Sequence, residues 1–180
     1  KVGDKGSTNS VGQSIAIGSS QGNGAWAKGT QAIAIGSDTI AEGDSSVVIG
    51  GDDVDRAISK TKSYVKKSYD KNDTETSTAV NNQSLDDIYK DLTGNTSGLG
   101  GYRGTTAGEA SVALGVKAAA GDLATALGTM SEAKGINSLA LGTGALATQA
   151  NAVAVGAGSS TEGLKAKRVT DANIGLADGT

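Results

Sequence analysis

The sequence predicts an all-β solenoid of short stacked coils, and three observations carry that prediction. The tripeptide small–aliphatic–Gly recurs as Ala16-Ile17-Gly18, Ala34-Ile35-Gly36, Val48-Ile49-Gly50, Ala113-Leu114-Gly115, Ala126-Leu127-Gly128, Ala140-Leu141-Gly142 and Ala154-Val155-Gly156. Its glycines step by 18 and 14 residues, break, and resume with steps of 13, 14 and 14. A second register runs between them at Gly29, Gly43, Gly108, Gly121, Gly135 and Gly163, with Gln149 in one glycine's place. Within each repeat, apolar residues alternate with small ones, as in Ser138-Leu139-Ala140-Leu141-Gly142 and Ala152-Val153-Ala154-Val155-Gly156. Self-similarity at a short period marks a stack of repeats, and alternation marks strands.

Taken in order, residues 1–50 carry the first repeats, 51–105 interrupt them, 106–163 resume them and 164–180 depart as the start of a connector. The period of 14 is also two heptads, but a coiled coil fails. Two glycines per period would each cost a helix about 1 kcal/mol, and the apolar residues do not follow a/d spacing. Two strands of about five residues and two turns per coil fit instead, with coils about 4.8 Å apart and seven coils making a rod of roughly 30 Å. Gly18, Gly29, Gly36, Gly43, Gly50, Gly115, Gly121, Gly128, Gly135, Gly142, Gly156 and Gly163 are read as the turn glycines, chosen because glycine takes positive φ without steric cost. In the half-coils Ala27-Lys28-Gly29, Ala41-Glu42-Gly43 and Ala133-Lys134-Gly135, the alanine is expected to point inward and the charged residue to water. In the main strand, the Ile/Leu/Val face is expected to fill the coil, leaving the Ser/Ala face to pack against identical copies. The first step of 18, with Gln21-Gly22-Asn23-Gly24 and Trp26, reads as an enlarged turn carrying the tryptophan.

Composition narrows the class. The 180 residues include 28 Gly and no Pro, Phe, His or Cys, with one Trp and one Met. Such a chain builds only a thin core, which favours association. A net charge of −3 gives no basic patch for nucleic acid. The absence of Cys removes disulfides and thiolate sites, and no apolar run is long enough to span a bilayer. No signal peptide opens the chain, and it reads as a piece of something longer.

The interruption holds all four tyrosines and about half the charge. Acids at Asp52-Asp53-Val54-Asp55 followed by Val54, Ile58, Thr61, Val65 and Tyr69 at helical spacing predict a helix. A second helix is predicted over Ser84–Leu92, with Ser84 and Asp87 as a capping pair. Lys71 to Gln83 reads as a polar loop, and the Gly-rich stretch 94–104 returns the chain to the coil. Tyr64, Tyr69, Tyr89 and Tyr102 are expected to form the insertion's own small core.

Chemistry is sparse. A hexapeptide acyltransferase solenoid needs period six and a histidine, no Ser nucleophile has a partner base, and no phosphate-cradling loop is present. The Gly50–Asp55 acids lack the alternation of a calcium loop and read as a helix start. No catalytic, metal or cofactor-binding residue is therefore assigned. The residues retained as ligand-contact candidates are Trp26, the basic Arg56, Lys60, Lys62, Lys66 and Lys67, and Tyr64 and Tyr69.

The strings SIAIG, AIAIG, SVALG, SLALG and AVAVG, interleaved with AKG and AEG turns, resemble the head repeats of trimeric autotransporter adhesins, the YadA-like head. The insertion, from GGDDVDRA through YKDLTG to its Gly-rich return, resembles one found in many such heads. The resemblance implies a left-handed parallel β-roll of about seven 14-residue coils, associated as a homotrimer. It also implies an exposed passenger on the outer membrane of a Gram-negative bacterium, binding a host matrix protein, glycan or cell-surface receptor. The family's neck motif is absent after Gly163; residues 165–172 look instead like the lead into a further connector. The alternative is a structural spacer or self-association module, acting in autoagglutination or biofilm without a host ligand. Neither reading is enzymatic.

Overall fold

Fourteen residues of contour, at most about 46 Å, must go once around each coil, and this short perimeter governs the architecture. In the computed structural model, residues 7–8, 13–18 and 24–163 are described; most of the enlarged first turn and the connector 164–180 lie outside them. Two parallel sheets run the length of a roll. With strands numbered in chain order, sheet A comprises β2 (Ile15–Ile17), β4 (Ile33–Gly36), β6 (Val47–Gly50), β10 (Val112–Leu114), β12 (Thr125–Leu127), β14 (Leu139–Leu141) and β16 (Val153–Val155). Sheet B comprises β1 (Ser7–Thr8), β3 (Ala25–Ala27), β5 (Thr39–Ala41), β9 (Thr105–Ala107), β11 (Ala119–Ala120), β13 (Glu132–Ala133) and β15 (Leu146–Ala147). Each strand pairs in register with its counterpart one coil away, as Ala126 with Ala113 and Ala140. The seven strands per sheet among the described residues match the repeat count in the sequence.

The two faces of the main strand are the reverse of the sequence expectation. Ala34, Val48, Ala113, Ala126, Ala140 and Ala154 point into the coil and are buried. Ile15, Ile17, Ile49, Leu141, Val153 and Val155 point out and are exposed. The physical reason is volume. Turns such as Gly36-Ser37-Asp38-Thr39 hold the sheets too close for aliphatic side chains to interdigitate, so only Ala, Ser, Thr and one Val fit between them. From sheet B the interior receives Ala27, Ala41, Ala107 and Ala133, as the half-coil pattern predicts, while Lys28, Glu42 and Lys134 are exposed. Interior hydroxyls close the turns: Ser46, Ser111 and Ser131 each donate to the carbonyl three residues back, at 2.6, 2.9 and 2.8 Å.

The glycines divide into two roles. Gly36, Gly115, Gly128, Gly142, Gly156 and Gly163 do adopt positive φ. Gly18, Gly29, Gly43, Gly50, Gly121 and Gly135 do not; there a Cβ would crowd neighbouring backbone, as at Gly29 against the Gly43 carbonyl. Close stacking is what they serve. Left-handed turn positions are instead filled by Gln31, Asp38, Ser45, Lys117, Leu123, Met130, Asn137 and Asn151.

The insertion enters and leaves through one turn of an uninterrupted roll. Strand β6 pairs with β10 and β5 with β9, so the register crosses the insertion without a shift. Gly50-Gly51 and Gly104-Thr105 occupy the places that Gly36-Ser37 and Asp38-Thr39 hold one coil earlier. Thr105 joins the two ends: its fully buried Oγ1 lies 2.7 Å from the Gly51 carbonyl, 3.0 Å from that of Gly115, and accepts from Lys117 N at 3.0 Å.

Inside the insertion the helix predicted over 54–69 is not formed. Only α1 (Asp55–Ile58) is helical; β7 (Thr61–Tyr69) and β8 (Glu75–Ser84) then make an antiparallel ribbon, with a bulge between Lys62 and Tyr64. Thr, Val and Tyr favour the strand, and Asp70 closes the turn by accepting from Asn72 N and Thr74 N at 2.8 and 2.9 Å. The stretch read as a loop is thus largely β8. The second helix, α2 (Leu85–Thr93), forms as expected: the Ser84 side chain accepts from Asp87 N at 3.1 Å and Gly94 closes it at φ 70°.

Helix α2 lies along the turns of the C-terminal coils. A Cβ at Gly144 would overlap the Tyr89 hydroxyl, and one at Gly158 would meet Thr93 Cβ at 2.5 Å. Glycine at these two places, where the preceding coils carry Lys117 and Met130, leaves room for the helix. Lys117 is only 2 % exposed, and its ammonium donates to the carbonyls of Leu99, Gly100 and Gly101 at 2.6, 2.9 and 2.7 Å, which fixes the return segment.

Candidate functional site

Three surfaces emerge from this arrangement. The first is the outer face of sheet A. Alternation forces one large side chain outward on either side of each buried small one, and register stacks them into two continuous rows: Ile15, Ile33, Val47, Val112, Thr125, Leu139, Val153 and Ile17, Ile35, Ile49, Leu114, Leu127, Leu141, Val155. No charge interrupts them. A contiguous aliphatic face of this length is what an association surface looks like.

The second is a groove of about 390 Å³ on the outer face of sheet B. Trp26, Ile40 and Thr106 stand side by side on β3, β5 and β9 and form its floor. The return segment Tyr102-Arg103-Gly104 and Asp38 make one wall, and Lys28 the other. Lys28 Nζ sits 5.5 Å above the Trp26 ring and pairs with Glu42 at 3.3 Å. Arg103 bonds Glu132 and the Lys117 carbonyl. Although burial pulls the Glu132 carboxyl up, Lys134 and Arg103 hold it below the usual range. Asp52, whose carboxyl hydrogen-bonds Asp38, is pushed up by burial first and by Asp38 second.

The third is the ribbon, exposed on both faces over most of its length. Along β7, Tyr64 and Lys66 both reach Asp91 of α2 at 2.7 Å. Lys67 and Tyr69 turn to Glu75, at 2.9 and 2.7 Å. Lys66 and Tyr64 depress the Asp91 pKa, and Lys67 and Tyr69 that of Glu75; the hydroxyl bonds to these carboxylates raise Tyr64 and Tyr69 in turn.

The structure distributes the sequence-predicted residues among these surfaces. Trp26 sits on strand β3, not on a turn, because its neighbours Ala25 and Ala27 point inward and it must point out. Arg56 lies on α1 and Lys60 follows it, both exposed; Lys62, Lys66 and Lys67 lie on a strand, so a single basic helix face does not exist. Of the four tyrosines only Tyr89 is buried; Tyr69 is 62 % and Tyr102 65 % exposed, so they do not form a shared core. Tyr102, Arg103 and Lys117 were missed. Lys117 carries a signal, since the equivalent turn positions of the following coils hold the uncharged Met130, Gly144 and Gly158.

The YadA head domain repeat, in two copies, matches residues 21–52, 119–145 and 133–159, the segments whose strands stack as described. No curated protein matches the chain. Among solved structures, the collagen-binding domain of the Yersinia adhesin YadA is similar at 17 % identity and a TM-score of 0.32, covering 88 % of this chain and 86 % of that one. By the matched segments and their parallel stacking, this chain carries YadA head domain repeats.

Proposed function

We propose that this head assembles as a homotrimer through the outer face of sheet A, on the bacterial outer surface, and attaches its cell to host extracellular matrix or host cells. The observation that carries the reading is the pair of outward rows, aliphatic over all seven described coils except at Thr125, on a roll whose own interior holds little beyond alanine. A core that thin gives little hydrophobic stabilisation, and covering the outer rows supplies what the interior lacks. Symmetric closure hides such a face from further association. Three is the number carried by the family. With sheet A covered, sheet B and the insertion form the outward surface, where repeated weak contacts would act together.

The test compares the chain with a variant lacking residues 52–103, which joins Gly51 to Gly104 and leaves a coil of 13 residues, the step between Gly115 and Gly128. Sedimentation reads assembly, and retention on immobilised matrix proteins and cultured host cells reads attachment. Trimers that attach support the reading, and loss of attachment in the shortened trimer places it in the insertion. A trimer that attaches to none of them, but clumps cells displaying it, supports self-association instead.

A further inference from the structure

The groove between sheet B and the return segment has the chemistry of a small-ligand site. Its 390 Å³ falls at the small end of the range for such pockets, room for one or two rings and not for a helix. Its apolar surface is aromatic, from Trp26 on the floor, 43 % exposed, and Tyr102 at the rim. Its two cations are already matched within the chain, Lys28 to Glu42 and Arg103 to Glu132, and the Asp38 carboxyl shares a hydrogen bond with that of Asp52. A charged ligand would disturb that balance in a partly desolvated place, where an unmatched charge is costly. A neutral ligand with hydroxyl groups would not. A peptide strand is also disfavoured, since β3 is paired on both sides by β1 and β5, and β5 by β3 and β9, leaving no free edge beneath the groove.

From this we infer that the groove binds an uncharged pyranose, the terminal unit of a host glycan, with its C–H face against Trp26 and Tyr102 and its hydroxyls toward Asp38 and the Arg103–Gly104 wall. The insertion completes the site, because Tyr102 and Arg103 belong to it while the floor belongs to the roll. Sheet B lies opposite the aliphatic rows, so assembly through sheet A leaves the groove open; in that respect alone the inference rests on the proposed trimer.

Trp26 is the chain's one tryptophan, so its fluorescence reports on the groove alone. The full chain is titrated with methyl β-galactoside, methyl β-glucoside and lactose, with a proline-rich peptide and heparin as competing classes. A saturable change with at least one neutral glycoside is expected. Binding should weaken roughly tenfold, the loss of one aromatic contact, in Tyr102→Ala, and vanish in Thr106→Arg, which fills the floor without touching the return segment. Sedimentation of both variants separates failure of the site from failure of the assembly. The inference is overturned if no glycoside gives saturation, if only the peptide or heparin does, or if both variants bind as the parent does. It is also overturned if the parent binds polysaccharide from the bacterium itself but no host glycan.

Discussion

If the small face of each strand lies inside and the large face outside, two neighbouring residues should respond oppositely to substitution. Ala140 is fully buried, stacked between Ala126 and Ala154, whereas Leu141 is 40 % exposed. Ala140→Leu adds three carbons where the sheets leave no room. Overpacking costs about 1–3 kcal/mol, occasionally more, and a core this thin has little to lose, so the variant should unfold at lower temperature or fail to fold. Leu141→Ser should leave the protomer folded. Full burial of a Leu is worth about 1.5–3 kcal/mol; covering the exposed two-fifths of it is worth about 0.6–1.2 kcal/mol per chain and about 2–4 kcal/mol per trimer. That corresponds to roughly a 20- to 400-fold weaker association. Circular dichroism reads the first outcome, and sedimentation velocity over a concentration series the second. The reasoning fails if Ala140→Leu folds and assembles like the parent while Leu141→Ser unfolds. It fails equally if the parent is a stable monomer.

Further outcomes follow from the same geometry. Gly135→Ala would drive a Cβ into the Gln149 carbonyl and should cost about 1–3 kcal/mol, whereas Gly51→Ala, whose nearest neighbour is a Val116 methyl at 3.8 Å, should be neutral; denaturation midpoints compare the two. Thr105→Val keeps the shape but removes the Oγ1 that serves the Gly51 carbonyl and Lys117 N, and should cost about 1–3 kcal/mol in the same assay. The raised pKa of Asp52 means that folding favours its protonated form, so its contribution is fully present below the unfolded value of 3.8 and is lost as pH rises through the folded one. Asp52→Asn should therefore be more stable than the parent at neutral pH, with the gap closing below about pH 4; equal midpoints at pH 7 would refute it.

The repeat made the roll legible because spacing alone sets coil number, strand position and register, and Ala27, Ala41 and Ala133 took their places as the half-coil pattern required. The faces were misassigned for a specific reason. Ile33-Ala34-Ile35 declares two faces without saying which is inside, and the rule that bulky aliphatics are buried decided it. That rule assumes an interior free to grow with its contents, whereas a 14-residue coil fixes the interior first. The insertion erred differently. Ile58, Thr61, Val65 and Tyr69 fit helical spacing, but Thr-Lys-Ser-Tyr-Val and Thr-Ser-Thr-Ala-Val around Asp70-Lys71-Asn72-Asp73 fit a hairpin equally, and propensity should have arbitrated. The groove was not legible at all. Trp26, Ile40, Thr106 and Tyr102 are scattered over the sequence, and only the stacking of β3, β5 and β9 brings them together.

The place of the insertion explains how one chain can hold a strict repeat and an irregular site. A solenoid coil tolerates added residues only where they disturb neither stack, which means in a turn. Here the ends of the insertion, Gly51 and Gly104, take up a turn two residues long, and Thr105 restores the backbone bonds across the gap. Once outside, the segment must be held, since a two-stranded ribbon has little stability of its own. Lys117 holds its return by three carbonyls, and glycines at 144 and 158 give α2 a seat on later coils. These anchors all lie on roll residues beyond the insertion. The C-terminal coils have thus departed from the repeat where the insertion touches them, and kept it where sheet A stacks. Register therefore carries the aliphatic face of sheet A, and the exceptions to the repeat carry the insertion and its groove.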